Sequence, residues 1–407
     1  MDISYGLLGK TLGHSYSPRL HSVFGDYKYD LLPVSEEECR EIILGKNFSG
    51  LNVTIPYKEL AFSLCDELSD IAREAGCVNT IVLKDGKIYG DNTDVFGFLY
   101  MLKAGGISLS RKNVVILGSG GTSKTATLAA KLEGATKITV VSRQGEINYE
   151  NVYSLINTEI IINTTPVGMY PKNGVSPIEL SRFPRCEGVC DVIYNPAKTR
   201  LLQDAEMLGI PHVGGLYMLA AQAARAAEHF LGCPVSDELI KKAVKTVFCD
   251  TQNIILIGMP GSGKSTVGRI LSEKLSRPFI DTDEEITKHF GKNPSEIITE
   301  DGEAYFRELE MQVVSEVSRE SGKIISTGGG VCERDGNRPS LSQNGKVFFI
   351  NRPISLLSTE DRPLSVDLPA LFERRHKKYL SMADFAVENT SLPENCADEI
   401  VKFFFSF

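Results

Sequence analysis

Short apolar runs alternate with amphipathic, helix-like segments along the first hundred residues. The runs include ISYGLL, GLNVTI and VNTIVL, and the segments between them include SPRLHSVFG and SEEECREIILG. Apolar runs of this length, separated by helical periodicity, are typical of α/β folds. The front of the chain is therefore predicted to be an α/β unit.

A second block of the same kind begins at Asn113. The strand NVVIL is followed by a Gly-rich turn, the helix TSKTATLAAKLEG and the strand KITVVSR, which is a βαβ unit with Rossmann character. Further strands are predicted in EIIINTT and GVCDVIY, and a long apolar helix from Tyr217 to Leu231. After the helix SDELIKKAVKTVF, the strand NIILIG opens a third α/β block.

Length and composition narrow the class of protein. A chain of 407 residues predicts two or three domains, and 42% hydrophobic with 24% charged residues predicts packed globular ones. A net charge of −8 argues against a broad nucleic-acid-binding face. The sequence has no signal-peptide pattern and no 18-residue apolar run, and its nine Cys without C-x-x-C pairs are expected to be reduced thiols. We expect a cytoplasmic protein with no nucleic-acid or membrane partner.

The third block carries a phosphate-binding loop. GMPGSGKS fits G-x-x-x-x-G-K-[S/T] at every fixed position, follows a strand and precedes the helix pattern STVGRILSEKL. Its backbone N–H groups are predicted to surround nucleotide phosphates, with Lys264 on the β- and γ-phosphates and Ser265 on Mg²⁺. The predicted nucleotide-binding residues are Gly261, Ser262, Gly263, Lys264, Ser265 and Thr266.

Charged side chains follow this loop where strands or helices end. In FIDTDEEI, Asp281 and Asp283 are two residues apart on a strand, so both carboxylates are expected to point the same way. In EAYFRELE, Arg307 and Glu310 share a helical face, and a plain salt bridge is the alternative to ligand binding. The run ISTGGG lets a ligand approach Gly328–Gly330 closely. The remaining candidate cations are Arg362 and Arg375.

These motifs, in this order, resemble the shikimate kinase family across residues 252–407. The resemblance rests on GMPGSGKST, DTDEEI, FRELE, STGGG, DRPL and RHKKY. It implies that three charged side chains hold shikimate and that two glycines lie near its ring hydroxyls. The implied shikimate-binding residues are Asp283, Arg307, Arg375, Gly329 and Gly330.

The same resemblance implies roles in phosphoryl transfer. Asp281 and Ser265 would bind Mg²⁺, and Arg362 would be the lid residue that neutralises charge on the transferred phosphoryl group. Lys264 and Asp283 complete the implied catalytic set. The segment ISLLSTEDRPLS is shorter than the family's usual lid and lacks the arginine of its Arg-Thr pair.

Polar side chains also follow the strands of the front block. GHSYSPRLHS places Ser15 and Ser17 before a proline, where N-capping of a helix by Ser17 is the alternative to ligand binding. GLNVTIPYKE places Thr54 and Lys58 just past a strand, where a lone lysine is usually solvated. The motifs CVNTIV and YGDNTDVFGF add Asn79 and Asp94.

As an ordered set, these residues resemble the shikimate dehydrogenase family over about residues 3–248. The resemblance implies that hydroxyl and amide side chains hold the substrate while Lys58 and Asp94 flank the carbonyl that is reduced. An ammonium beside a carboxylate can protonate the alkoxide left by hydride transfer, so Lys58 is the predicted general acid/base. The implied substrate-binding residues are Ser15, Ser17, Thr54, Asn79, Asp94, Tyr194 and Gln222.

The hydride donor is indicated by GSGGTSKTA, a Gly-rich loop between a strand and a helix. The next strand ends in VVSRQ, with Ser142 and Arg143 where an NAD enzyme usually has an acid for the ribose 2′-hydroxyl. This difference favours NADP(H). The loop NTTPVGM matches a further loop of the family. The predicted NADP(H)-binding residues are Gly118, Ser119, Gly120, Gly121, Ser142, Arg143, Thr165 and Gly215.

The two resemblances imply an α/β chain of three parts. Residues 1–101 with 215–250 would form a substrate-binding lobe, 102–214 a Rossmann lobe for NADP(H), and 252–407 a P-loop kinase domain with a parallel sheet. The expected reactions are NADPH-dependent reduction of 3-dehydroshikimate and transfer of the γ-phosphate of ATP, with Mg²⁺, to shikimate. The alternatives are a quinate-type dehydrogenase that uses NAD and a kinase-like domain that only regulates or scaffolds. A monomer and a homodimer are both compatible with the sequence.

Overall fold

The computed structural model describes residues 3–13, 15–357 and 368–406. These residues form two compact units. The first contains the chain up to Met169, Val175–Tyr194 and Leu201–Val247, and the second contains Tyr170–Gly174, Asn195–Arg200 and the chain from Phe248. No helix within the described ranges has the length and hydropathy that crossing a bilayer requires.

Strands and helices alternate along the first unit, as the apolar pattern predicts. Its strands are β1 (Ile3–Gly9), β2 (Tyr29–Pro33), β3 (Phe48–Val53), β4 (Glu67–Leu68), β5 (Thr80–Lys84), β6 (Lys87–Asp91), β7 (Asn113–Leu117), β8 (Lys137–Val141), β9 (Ile160–Asn163), β10 (Gly188–Asp191) and β11 (His212–Gly214). Its helices are α1 (Ser17–Phe24), α2 (Glu36–Gly45), α3 (Lys58–Leu64), α4 (Asp70–Ala75), α5 (Thr93–Ala104), α6 (Gly121–Leu132), α7 (Arg200–Met207), α8 (Leu216–Leu231) and α9 (Asp237–Thr251), the last of which continues into residues of the second unit.

The second unit repeats the alternation. Its strands are β12 (Asn253–Ile257), β13 (Phe279–Asp281), β14 (Ile324–Ser326), β15 (Gly345–Asn351) and β16 (Phe385–Glu388). Its helices are α10 (Lys264–Leu275), α11 (Thr282–Phe290), α12 (Pro294–Asp301), α13 (Glu303–Val317), α14 (Asn337–Ser342), α15 (Leu368–Met382) and α16 (Pro393–Phe405).

The first sheet of the first unit has the strand order β2-β1-β3-β5-β6-β4. β1 pairs in parallel with β2 and β3, whereas β5 pairs antiparallel with β3 and β6. Leu8, Leu51 and Ile81 are fully buried in this sheet and share a core with Ile43 of α2 and Ala61 of α3. Because β1 and β3 are parallel neighbours, the loops that follow them leave the sheet at the same edge.

The second sheet of the first unit is parallel throughout, in the order β11-β10-β9-β7-β8. All residues of β9 and β10 are buried, as expected of parallel strands that helices cover on both faces. β7 has β8 on one side and β9 on the other, so the loop after β7 lies at a switch point, where open α/β sheets bind ligands. The predicted Rossmann architecture is confirmed. The exact lobe boundaries stay a prediction.

The sheet described in the second unit is also parallel, in the order β13-β14-β12-β15-β16. Its central strand β12 is buried along its whole length because the two faces carry different cores. Ile255 packs on one face with Val313 of α13, and Leu256 on the other with Val267 of α10. Since β14 and β15 flank β12, the phosphate loop after β12 lies at a switch point. The predicted P-loop α/β domain is confirmed.

Two helices begin where the sequence reading did not expect them. α1 begins at Ser17 itself, so the alternative in which Ser17 is the N-cap is wrong. Ser15 Oγ instead accepts a hydrogen bond from the backbone N–H of Ser17 at 3.2 Å. Asp283 lies within α11 and does not share a strand with Asp281, because the Asp281 carboxylate caps that helix by accepting from the Asp283 backbone N–H at 3.0 Å.

Candidate active sites

A cavity of about 300 Å³ lies beside the loops that follow β1 and β3. It is lined by every side chain that the sequence predicts for the dehydrogenase substrate, although these residues are scattered along the first unit. Their individual roles stay predictions, but the fold brings them to one place. The residues are Ser15, Ser17, Thr54, Lys58, Asn79, Asp94, Tyr194 and Gln222.

Lys58 and Asp94 form an ion pair at this cavity. Lys58 is the first residue of α3, and Asp94 is the second residue of α5. Lys58 Nζ donates to Asp94 Oδ2 at 2.6 Å, and the two side chains are 26% and 11% exposed. Asn79 Nδ2 donates to the other carboxylate oxygen, Oδ1, at 2.8 Å. Because both oxygens of Asp94 are held, the ammonium is fixed in place while it stays in contact with the cavity.

Asn79 is itself fixed by a buried hydrogen-bond network. Its Oδ1 accepts from the backbone N–H of Thr93 at 2.8 Å and from Thr80 Oγ1 at 3.2 Å. Asn52 Nδ2 donates to Thr80 Oγ1 at 3.0 Å, and the Tyr29 hydroxyl donates to Asn52 Oδ1 at 2.7 Å. Such a satisfied network orders its members. The sequence reading missed Asn52, which lies inside β3, and Thr93, which is the first residue of α5.

His21 is a further cavity-lining residue that the sequence reading missed. Its ring stacks on Tyr29 with centroids 3.9 Å apart, and its Nδ1 lies 2.6 Å from the Tyr27 hydroxyl. Burial lowers the pKa of His21 from its usual 6.5 to about 3. The imidazole is therefore neutral in the folded protein at neutral pH.

The buried neutral His21 makes the first unit sensitive to acid. Because the folded-state pKa lies below the unfolded value, the stabilisation is complete above pH 6.5 and is lost as the pH falls toward about 3. One such group costs about 1.4 kcal/mol per pH unit in that window. In His21→Phe, which keeps an aromatic ring, the temperature at which a protease cleaves the first unit should drop less between about pH 7 and about pH 5 than in wild type. Equal drops in both proteins would contradict this assignment.

Gln222 reaches the cavity because α8 packs closely on α5. At Gly97 in α5, an added Cβ would lie 2.6 Å from a backbone oxygen of α8 and 3.2 Å from the backbone nitrogen of Gln222. Only glycine permits this approach, which places Gln222 over the same cavity as Asp94. Tyr194 also lines the cavity, and its ring packs edge to face against Tyr16 at 5.6 Å.

The Gly-rich loop after β7 has the shape that a dinucleotide pyrophosphate needs. Gly118 has a φ of +104°, and Gly120 is the N-cap residue of α6. A Cβ added at Gly120 or Gly121 would meet no described atom within 4 Å, so the helix N-terminus faces open space. Thr165 lies beside the loop, with its Cγ2 3.0 Å from a Cβ added at Gly118. Ser119 lies within the same turn. A phosphate at this helix N-terminus would meet unpaired N–H groups and the positive end of the dipole.

Ser142 and Arg143 directly follow β8, which pairs in parallel with β7. The two strands therefore end at the same edge of the sheet, and Arg143 is exposed. The backbone N–H of Ser142 donates to the Ile147 carbonyl at 3.2 Å, which closes a turn after the strand. Gly215 is the N-cap residue of α8, where an added Cβ would overlap the Val192 carbonyl.

A second cavity, of about 580 Å³, lies at the carboxyl edge of the sheet in the second unit. Most residues that the sequence predicts for the kinase site line it. Ser262 is buried in the phosphate loop and lies outside this lining, and Arg362 falls outside the described residues. The predicted residues in the lining are Gly261, Gly263, Lys264, Ser265, Thr266, Asp281, Asp283, Arg307, Gly329, Gly330 and Arg375.

The phosphate loop positions a cation and a pair of oxygen ligands. Lys264 Nζ donates to the carbonyl oxygens of Gly258 and Met259, each at 3.0 Å. Ser265 Oγ donates to Asp281 Oδ2 at 2.7 Å. A hydroxyl and a carboxylate this close supply the hard oxygen atoms that Mg²⁺ prefers, so the pair fits the predicted metal site.

Arg307 and Glu310 form the salt bridge that their helical spacing predicts, and both also line the cavity. Arg307 contacts Glu310 and Glu303, each at 2.9 Å. Burial raises the pKa of Glu310 to about 7 against the opposing effect of Arg307, and Asp283 adds to the rise. An added Cβ at Gly330 would overlap the Arg307 guanidinium. The salt bridge does not exclude ligand binding by Arg307, because the paired guanidinium still borders the cavity.

Arg375 brings a second guanidinium to this cavity from α15. It is 2% exposed, and its Nη1 donates to the Gly329 carbonyl at 3.1 Å. The Tyr379 hydroxyl donates to the same carbonyl oxygen, and Arg375 Nε donates to Glu333 Oε1 at 2.7 Å. Arginines from two different helices thus border one space, an arrangement that fits a ligand with a carboxylate.

Arg352 also lines the second cavity, and the sequence reading assigned it no role. It follows β15, and its Nε donates to the Leu356 carbonyl at 3.0 Å. Its Nη1 would lie 3.8 Å from a Cβ added at Gly263 of the phosphate loop. Arg352 could not be predicted from the sequence, because Asn-Arg-Pro after a strand matches no known motif.

The two units therefore carry two kinds of chemistry. A dinucleotide loop in the same unit as an ammonium–carboxylate pair at a cavity defines an oxidoreductase. A phosphate loop beside an arginine-lined cavity defines a small-molecule kinase.

Comparison with known proteins names both families. Residues 260–404 match the family model described as shikimate kinase, and residues 7–81 match the shikimate dehydrogenase substrate binding domain. The shikimate dehydrogenase (NADP(+)) of Clostridium beijerinckii is 36% identical over 255 residues, which are 58% of this chain and 94% of the relative. The chain belongs to the shikimate dehydrogenase family and carries a shikimate kinase domain in its second part.

Solved structures agree for the first part of the chain. A chorismate mutase/shikimate 5-dehydrogenase fusion protein from Clostridium acetobutylicum is 34% identical with a TM-score of 0.58, over 61% of this chain and 98% of that one. Shikimate 5-dehydrogenase from Thermus thermophilus, in complex with NADP(H) and shikimate, is 28% identical with a TM-score of 0.54, over 60% of this chain and 98% of that one.

Proposed function

We propose that the first unit reduces 3-dehydroshikimate to shikimate with NADPH, and that the second unit transfers the γ-phosphate of ATP to the 3-hydroxyl of shikimate with Mg²⁺. One observation carries the proposal. Two separate cavities are each lined by the substrate-binding side chains that the motifs of these families predict. The product of the first reaction is then the substrate of the second.

In the reduction, Lys58 is the general acid. NADPH, when bound, supplies a hydride to the carbonyl carbon. Lys58 gives a proton from Nζ to the carbonyl oxygen, so the ketone becomes an alcohol, and the lysine then regains a proton from water. Asp94, 2.6 Å away, holds the ammonium in position beside the cavity. The substrate's carboxylate and hydroxyls are held by Ser15, Ser17, Thr54, Asn79, Tyr194 and Gln222.

In the phosphorylation, Asp283 orients the attacking hydroxyl and accepts its proton. The hydroxyl oxygen forms a bond to the γ-phosphorus while the bond from that phosphorus to the ADP oxygen breaks. Lys264 and Arg352 place positive charge beside the phosphates, and Arg362 is assigned the same task from the lid. Mg²⁺, when bound, screens the phosphate charges. The acid end of shikimate is held by Arg307 and Arg375, with Gly329 and Gly330 beside the ring.

The preference for NADP(H) over NAD(H) is assigned to the turn after β8. We assign Ser142 and the exposed Arg143 to the ribose 2′ group, because they directly follow the strand β8. A guanidinium attracts a 2′-phosphate, whereas the acidic residue usual in NAD enzymes would repel it.

We place the enzyme in the cytoplasm. Eight cysteines, among them the exposed Cys233, are free thiols. Free thiols in this number are typical of a reducing compartment.

Two separate assays on the full chain test the proposed function. The chain should oxidise NADPH when 3-dehydroshikimate is added, and it should transfer labelled γ-phosphate from ATP to shikimate. Parallel assays with NADH and with quinate test the first alternative. A marked preference for quinate with NAD would overturn the proposal for the first unit. Nucleotide binding without transfer to shikimate would overturn it for the second.

Glu310 makes the affinity of the kinase for shikimate dependent on pH. Since its pKa is raised to about 7, ionisation above that value adds negative charge beside Arg307 and weakens the hold on the substrate's carboxylate. The KM for shikimate should increase roughly threefold to tenfold between about pH 6 and about pH 8. Glu310→Gln should flatten this increase, with the KM for ATP as the internal reference. The same increase in the variant would show that Glu310 is not the group responsible.

A further inference from the structure

Three cations of α15 converge on one carboxylate, that of Glu333. Arg374, Arg375 and Lys378 contact it at 2.9, 2.7 and 2.8 Å. Arg374 and Arg375 lie four and three residues before Lys378, so each of them is a neighbour of Lys378 on the helix surface. Glu333 ends the short 3-10 turn that directly follows Gly328–Gly330. The carboxylate therefore ties α15 to the glycine loop of the kinase cavity.

Glu333 holds Arg375 from outside the cavity. Arg375 lines the cavity, whereas Glu333, Arg374 and Lys378 lie outside its described lining. Arg375 donates from Nε to Glu333 and from Nη1 to the Gly329 carbonyl, and neither bond uses Nη2. The Arg375 side chain is only 3% exposed, so these two hydrogen bonds set the orientation of its guanidinium.

The basic partners of Glu333 keep its carboxyl group ionised. Burial by itself would raise the pKa of this carboxyl, but hydrogen bonds from Lys378 and Arg375 lower it to about 2. The carboxylate therefore stays ionised throughout the range in which the protein works. An acidic group next to an acid-binding site would ordinarily repel the ligand. Here, with three cations around one anion, the cluster keeps a positive balance.

We propose that Glu333 is a positioning residue of the kinase, which orients the Arg375 guanidinium so that Nη2 meets the carboxylate of the substrate. The inference rests on the proposed role of Arg375 in holding shikimate. Glu333 has its effect only at the acid end of the cavity. The phosphate loop is held by other contacts, such as those from Lys264 to Gly258 and Met259.

Glu333→Gln tests this inference, because it keeps the shape of the side chain and removes its charge. We expect the KM for shikimate in the kinase reaction to rise roughly tenfold or more, from the loss of one charge-assisted hydrogen bond to a buried guanidinium. The KM for ATP and the dehydrogenase activity of the same chain should change less than about twofold. Glu333→Asp, which retains the charge on a shorter stem, should recover part of the loss.

Three control variants distinguish a role of Glu333 in orienting Arg375 from a role in stabilising the fold. Arg374→Ala and Lys378→Ala remove half-exposed partners of Glu333, and Glu373→Gln removes an exposed carboxylate on the same helix. Each should leave the KM for shikimate within about twofold. A matching rise in the two cation variants, or a loss of kcat and thermal stability in Glu333→Gln without a selective rise in KM, would overturn the inference.

One further variant distinguishes failure of the inference from failure of the proposed function. Arg375→Lys should raise the KM for shikimate by itself, since an ammonium cannot replace a two-pronged guanidinium. A raised KM in Arg375→Lys with an unchanged KM in Glu333→Gln would overturn only the positioning role. An unchanged KM in Arg375→Lys would overturn the assigned role of Arg375 and the inference with it.

Discussion

Lys58→Ala is expected to lower the rate of 3-dehydroshikimate reduction at least about a hundredfold, the usual size of general acid catalysis. Lys58 is the proposed proton donor to the new alkoxide. Its Nζ lies 2.6 Å from Asp94, and no other cationic side chain is among the described residues that line this cavity. The loss should appear mainly in kcat, because the hydroxyl and amide groups that bind the substrate remain. Steady-state oxidation of NADPH measures it.

The kinase activity of the same chain is a control for correct folding of this variant. Phosphorylation of shikimate by Lys58→Ala should stay within about twofold of wild type, since the second cavity lies in a separate unit. Lys87→Ala, which removes a half-exposed partner of Glu67 in the same unit, is the matched lysine control and should reduce at the normal rate. Loss of both activities in Lys58→Ala would point to a damaged fold rather than to lost catalysis.

Lys264→Ala is expected to lower phosphoryl transfer to shikimate by roughly a thousandfold, because one fixed cation at the developing charge is worth several kcal/mol. Lys264 is 8% exposed, and two carbonyl oxygens of the phosphate loop hold its ammonium within the loop. Transfer of labelled phosphate from ATP to shikimate is the measurement. Reduction of 3-dehydroshikimate should be unchanged.

A lysine on the same helix provides the matched control for this second variant. Lys274 lies near the end of α10 and pairs with Asp398 on the surface. Lys274→Ala should therefore transfer phosphate at the normal rate. If Lys264→Ala still phosphorylated shikimate at a tenth of the wild-type rate, the assignment of the phosphate loop as the catalytic centre would fail.

The fold could be predicted from local patterns because the central strands of the two parallel sheets are short runs made mostly of apolar residues. NVVIL and NIILI became β7 and β12, and both were followed by the expected glycine loops. The start of a helix is harder to predict, since it depends on which polar group reaches the free N–H groups. Asp281 does so in α11, which is why Asp283 is helical.

The candidate sites were predictable only where a motif carries the chemistry. Lys58 and Asp94 belong to recognisable stretches, and the structure brings them together. His21, by contrast, becomes notable only through its stacking on Tyr29, and Glu333 only through its contacts with a helix that lies 35 residues or more further along the chain. Such residues act through tertiary neighbours, and no periodicity along the chain reveals those neighbours.

The close approach of α5 and α8 at Gly97 has a consequence for the size of molecule that the first cavity accepts. α5 carries the carboxylate of Asp94 and α8 carries the amide of Gln222, so the distance between these two proposed points of contact with the substrate is set by the separation of the helices. A single methyl group at position 97 would act as a spacer and widen the cavity without touching its contents. To make the cavity accept a bulkier hydroxy acid, the first position to substitute is therefore Gly97, which lies behind the cavity wall. The side chains that line the cavity would be changed only afterwards.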